Sequence, residues 1–253
     1  MPAYDVLCIG NAIVDIIASA DDDFLVENGI IKGAMNLIDA ERAELLYSRM
    51  GPATEASGGS AGNTAAGVAG FGGRAAFFGK VASDQLGELY THDIRAHGVD
   101  FDTKPLAGPP PTARSMIFVT PDGERSMNTY LGACVELGPE DVEPAKTDAK
   151  VTYFEGYLWD PPRAKEAIRL AARLTHEAGG EVAMTLSDPF CVDRYRDEFL
   201  DLMRSGTVDI VFANQHELIS LYQTPSFETA LEAIRKDCKL AAVTRSAAGS
   251  IIV

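Results

Sequence analysis

Val6-Leu7-Cys8-Ile9-Gly10-Asn11-Ala12-Ile13-Val14-Asp15 is an apolar run that breaks at a glycine and then delivers an amide and an acid. Residues 5–9 read as a strand, and Asp15 follows as an acid with no evident partner. Farther along, Gly58-Gly59-Ser60-Ala61-Gly62-Asn63 runs into Thr64-Ala65-Ala66-Gly67-Val68-Ala69-Gly70, a small-residue helical pattern. Backbone there lets a ligand approach closely, because few side chains stand in the way. A carboxylate accepts hydrogen bonds and an Asn amide both donates and accepts, so this pairing beside bare backbone reads hydroxyl groups. The outline is a polyol or nucleoside pocket.

Outward from these segments, short β-like runs alternate with helical periods. Strands are predicted at Ala75–Phe78, Val151–Phe154, Val182–Leu186, Val208–Phe212, Leu240–Val243 and Ser250–Val253. Pro161-Pro162 mark a helix start, and Ala164, Ala167, Ile168, Ala171 and Ala172 form the apolar stripe that follows. Strands and helices in that rhythm imply β-α-β units around a mainly parallel sheet, a three-layer α/β/α body. In open sheets of this kind, ligands bind at the carboxyl ends of the strands. Two stretches break the rhythm, at about 13–37 and 99–130. The second contains Arg114–Val119, a Pro121-Asp122-Gly123 turn and a further run around Ser126–Tyr130, which together read as a hairpin. The two stretches are expected to pair as a small β-sheet lid that excludes water from the site. One α/β domain carries both.

Composition narrows the partners. With 37 acids against 22 Lys and Arg, the net charge of −15 repels nucleic-acid backbones and anionic lipid. A polyanionic ligand would need a local device to overcome that field. Cys8, Cys134, Cys191 and Cys238 are far apart and read as reduced thiols. The amino terminus has no basic, apolar leader, and no apolar run has membrane-spanning length, so the expected location is cytoplasmic. The histidines show no metal-ligand spacing.

Two nucleotide motifs fail. Between Gly73 and Gly79-Lys80 the spacing is wrong, and Val81 stands where a P-loop needs Ser or Thr. The turn after the first strand has only Gly10, not a dinucleotide Gly-x-Gly-x-x-Gly. Asn214-Gln215-His216-Glu217 reads in two ways. It is a helix capping box, and it is also a pair able to organise Mg²⁺ and its waters beside nucleotide phosphates. Thr244-Arg245-Ser246-Ala247-Ala248-Gly249 is a turn of small and hydroxyl residues between two strands; Arg114 and Arg125 lie in the hairpin, where solvated side chains are the default reading and phosphate contact the alternative.

Together, Gly10–Asp15, Gly58–Asn63, Asn214–Glu217 and Thr244–Gly249, in that order, make the chain resemble the PfkB (ribokinase-like) family of carbohydrate and nucleoside kinases, and its adenosine-kinase-like branch in particular. The resemblance runs from residue 5 to the last residue. It implies ATP and Mg²⁺ as cosubstrates and a sugar or nucleoside as acceptor, in a monomer or homodimer. Asp15, Gly59 and Asn63 would grip substrate hydroxyls, with help from Asn11, Ser60 and Glu155. Phe190, in Ser187-Asp188-Pro189-Phe190, would line the ring pocket, and Ile13 and Met35 would flank a purine. Thr244, Ser246 and Gly249 would contact the nucleotide. Asn214 and Glu217 would organise Mg²⁺ through water.

The family's Gly-Ala-Gly-Asp segment, which supplies the anion hole and the catalytic base, does not occur in these 253 residues. No catalytic residue is therefore assigned. The run ending at Val253 reads as a strand cut short, so the expectation is a C-terminally incomplete domain, unstable and without phosphoryl transfer. A non-catalytic sugar or nucleoside sensor of the same fold is the alternative.

Overall fold

Leu7 and Ile9 point into one hydrophobic cluster and Cys8 into another, so the first strand is buried on both faces. A parallel sheet covered on both sides requires such a strand. The computed structural model describes residues 2–253. Its strands begin with β1 (Tyr4–Ile9), β2 (Ile13–Ser19), β3 (Met35–Leu37), β4 (Ala53–Gly58), β5 (Ala75–Phe78), β6 (Val99–Asp100), β7 (Ala113–Val119) and β8 (Arg125–Tyr130). β9 (Ala149–Glu155), β10 (Glu181–Thr185), β11 (Ile210–Asn214), β12 (Leu240–Thr244) and β13 (Ser250–Ile252) follow. The helices are α1 (Asp22–Glu27), α2 (Ala40–Arg49), α3 (Ser60–Gly70), α4 (Gln85–Ala96), α5 (Pro162–Glu177), α6 (Pro189–Arg204), α7 (Gln215–Tyr222) and α8 (Phe227–Asp237).

The larger sheet has the order β13-β12-β11-β10-β9-β1-β5-β6, all parallel except the β12–β13 pair. One of its faces is covered by α5 to α8, whose Ala164, Ile168, Phe199, Leu218 and Ile234 join Leu7 and Ile9. The other face packs on α3 and α4 through Ala61, Ala65, Tyr90 and Ile94. The mainly parallel α/β/α body is thus present. Pro162 opens α5 at a position where its missing N–H costs nothing, and all five stripe residues are buried. On the α3 side, Phe212, Leu240 and Ile252 stay exposed toward the β13 edge.

The second sheet has the order β3-β8-β7-β2-β4. The hairpin is confirmed: β7 and β8 pair antiparallel, and Gly123, with φ of 85°, closes the turn by donating to Thr120 O at 2.8 Å. β2 pairs with β7 in parallel, which joins the two irregular stretches in one small sheet. Several details differ from the sequence reading. The first stretch also contains a helix, α1, and the start of the second contributes β6 to the larger sheet instead. A further strand, β4, pairs along β2, so Gly58 ends a strand. Val208 lies before β11, which runs on to Asn214, while Leu186 and Val253 fall just outside β10 and β13. Val14, Ile16, Met116 and Phe118 line one face of the small sheet and pack on Leu25 of α1 and Leu46 of α2. Its opposite face carries Asp15.

Candidate active site

Parallel pairing puts the carboxyl ends of β1, β9, β10, β11 and β12 on one edge. Ile9 stands beside Phe154, Glu155 beside Thr185, Thr185 beside Phe212, and Asn214 beside Thr244. Asn11, Glu155, Asn214, Thr244 and the loop holding Ser246 and Gly249 therefore collect along it, although they are scattered in sequence. Phe190 reaches the same edge on the first turn of α6 and is 76% exposed. The α3 N-terminus opens there too, with Gly59 as N-cap and Ser60 and Asn63 exposed on its first turn.

Gly59 has no side chain with which to cap α3. The cap comes from β9: Glu155 Oε2 accepts from Ala61 N at 2.8 Å, and its Oε1 accepts from Asn11 N and Nδ2, both at 2.7 Å. Glu155 is fully buried beneath the edge, and both its oxygens are engaged. It braces Asn11 and the start of α3, a different task from the polar wall expected of it. Burial pushes its carboxyl up to about 6, while the donors from Asn11 and Ala61 oppose the rise. A charge buried with several donors is tolerated where a bare one is not.

Asp15 is the third residue of β2, in a row with Ala56, Ser115, Thr129 and Leu37 across the small sheet. No protein donor is bonded to its carboxylate among the described residues. Ser115 and Thr129 are bonded to each other at 2.8 Å in the same row. Burial raises the Asp15 carboxyl to about 6, with Arg125 on the same face pulling it back. Gly58 makes the space: a Cβ there would collide with the Asp15 carboxylate. Gly59, at φ of 84°, presses against Asn11 O, and any side chain would break that contact. On the same face Ile17, Met35 and Leu37 are exposed.

The two hairpin arginines part company. Arg114 points to the opposite face and pairs with Glu44, so it is not available to a ligand at Asp15. Asn214 and Glu217 form the capping box. Asn214 Oδ1 accepts from His216 N and Glu217 N, and the Glu217 oxygens accept from Asn214 N and Nδ2. Burial raises the Glu217 carboxyl. Each Glu217 oxygen thus takes one hydrogen bond within the box. Among the described residues no group of three or more acids, His or Cys is placed to hold a metal. An open concavity of about 680 Å³ at the far end of β2 is lined by Asp21, Asp23 and Glu27 and does not include Asp15. Among the described residues, no helix is long and apolar enough to cross a membrane.

Sequence reasoning missed Gly58 as the cradle of Asp15 and the Ser115–Thr129 pair beside it. Both depend on strand register, for which the sequence holds no local signal.

A mostly parallel sheet between helices, joined to a second small β-sheet, is a ribokinase-like α/β fold. The chain matches the pfkB family carbohydrate kinase description over residues 5–253 and belongs to that family. It is similar to the crystal structure of adenosine kinase from Sinorhizobium meliloti, at 77% identity and a TM-score of 0.92, covering 99% of this chain and 77% of that one. A probable sugar kinase from Rhizobium etli CFN 42 is 72% identical with a TM-score of 0.94, covering 100% of this chain and 77% of that one. Aminoimidazole riboside kinase of Salmonella typhimurium is 31% identical over 155 residues, 59% of this chain and 48% of that protein. The chain spans about half the length of the curated relatives it matches.

Proposed function

We propose that the protein is an ATP-dependent phosphotransferase acting on a hydroxyl of a sugar or nucleoside, with adenosine the favoured acceptor. Asp15 carries the reading: a carboxylate raised to about 6 by burial, with no protein donor among the described residues, against the bare backbone of Gly58. A desolvated acceptor is matched by hydroxyl donors from a ligand. In this reading Asp15 takes substrate hydroxyls, Gly59 N–H and Asn63 complete the grip, and Asn11 is held in place by Glu155. The exposed Ile17, Met35 and Leu37 beside Asp15, and Phe190 across the edge, suit a flat apolar ring better than a free sugar. The 77% identity to the S. meliloti adenosine kinase supports the same acceptor.

ATP would lie along Thr244, Ser246 and Gly249, and Mg²⁺ would be held by its phosphates and reached by Asn214 and Glu217 through water. Mg²⁺ would supply charge neutralisation for in-line transfer. The chain is read as one ribokinase-like unit with the small sheet as its lid, a cytoplasmic monomer or homodimer. Thermal unfolding tests the acceptor. Adenosine with a non-hydrolysable ATP analogue should raise the melting temperature, and ribose or fructose should raise it less. No shift with any of them would refute the reading.

A further inference from the structure

A chain with a net charge of −15 needs a local cation if it is to hold a triphosphate. Cations around the strand-end edge are largely committed already. Lys80 pairs with Asp141 at 2.5 Å, Arg114 with Glu44, Arg194 with Asp160 at 3.3 Å and Arg196 with Asp193 at 2.5 Å. Arg245 shares an unpartnered buried Nε–H with Arg114, and Arg125 makes no ion pair among the described residues either, but of the three only Arg245 lies in the candidate nucleotide loop. It sits in the β12–β13 loop between Thr244 and Ser246 and makes no ion pair among the described residues. Its guanidinium lies over Phe227, with Cζ 4.9 Å from the ring centroid, and its buried Nε–H has no acceptor. The loop is closed beneath it by Arg245 N donating to Gly249 O at 2.7 Å.

A buried donor with no acceptor is an unfavourable resting state, and an arginine fork matches phosphate oxygens geometrically as well as by charge. We infer that Arg245 is a phosphate-binding residue for the donor nucleotide, parked on Phe227 until a triphosphate draws its N–H groups away. The inference rests on the reading of the 244–249 loop as the nucleotide site and adds the residue that overcomes the chain's own field there. Phe227 is the first residue of α8, and its ring offers the guanidinium a π face but no hydrogen-bond acceptor. The ligand class is a polyphosphate, recognised by charge and fork geometry and not by its base.

Isothermal titration of the whole chain with MgATP, inorganic tripolyphosphate and adenosine tests this. Arg245→Gln should weaken ATP and tripolyphosphate by about 10- to 100-fold, the range for hydrogen bonds to a charged group. Adenosine affinity should not change. Arg245→Lys should recover only part of the loss, because it keeps the charge without the fork. It also carries the test if the Gln variant melts early. Equal tripolyphosphate affinity in wild type and Arg245→Gln would overturn the inference. So would a loss confined to ATP, which would move the contact to the base. Failure of the unaltered protein to bind either polyphosphate would instead remove the nucleotide-site reading, and Arg245 with it.

Discussion

Replacing Asp15 by Asn should make the protein more stable and a poorer binder at the same time. The Asp15 carboxyl rises from 3.8 to about 6, chiefly through burial. Each pKa unit corresponds to about 1.4 kcal/mol, so ionising this group in the folded chain costs roughly 3 kcal/mol at most, and partial hydration trims it to about 2. The direction follows from proton uptake. Between about pH 4 and 6 the folded chain binds more protons than the unfolded one, so stability falls as pH rises through that window. Asn carries no charge and escapes the loss. At pH 8 the variant should therefore melt higher by about 4–8 °C, taking 2–4 °C per kcal/mol for a chain of this size. At pH 4 the difference should shrink toward zero. Adenosine affinity should fall by about 10- to 100-fold, since a neutral amide replaces a charged acceptor. Circular dichroism melts at pH 4, 6 and 8, with calorimetric titration of adenosine, measure both quantities. A gain in stability equal at pH 4 and pH 8, or none at pH 8, would refute the burial argument.

Gly58→Ala drives a Cβ into the Asp15 carboxylate and should cost adenosine affinity at least about tenfold, the equivalent of 1.4 kcal/mol; unchanged affinity by titration would show that Asp15 has room elsewhere. Glu155→Ala strips the acceptor from Asn11 N, Asn11 Nδ2 and Ala61 N, and should lower stability by about 2–4 kcal/mol in urea unfolding. A loss below about 1 kcal/mol would mean that water replaces it. Asn214→Ala removes the α7 cap and should cost about 1 kcal/mol without nucleotide, and further stability when MgATP is present. A stability loss that appears only in the presence of MgATP would give Asn214 a ligand role in place of a structural one.

Much of the body was legible because its signals are local. The apolar run of β1, the stripe on α5, the Pro-Asp-Gly turn of the hairpin and the Asn214–Glu217 box each depend on residues close in sequence, where side-chain period and capping chemistry act. β4 escaped because Ala53-Thr54-Glu55-Ala56-Ser57-Gly58 has no apolar alternation; it is a strand because β2 pairs with it. β6 was lost inside the second irregular stretch because only two residues pair with β5. The site divides in the same way. Asp15, Gly59 and Asn63 stood out by residue type and position. The brace formed by Glu155, the turning away of Arg114, the space Gly58 leaves and the unpaired state of Arg245 were decided by register and by what lies across the sheet. Desolvation and long-range hydrogen bonding depend on neighbours that only the folded chain assembles.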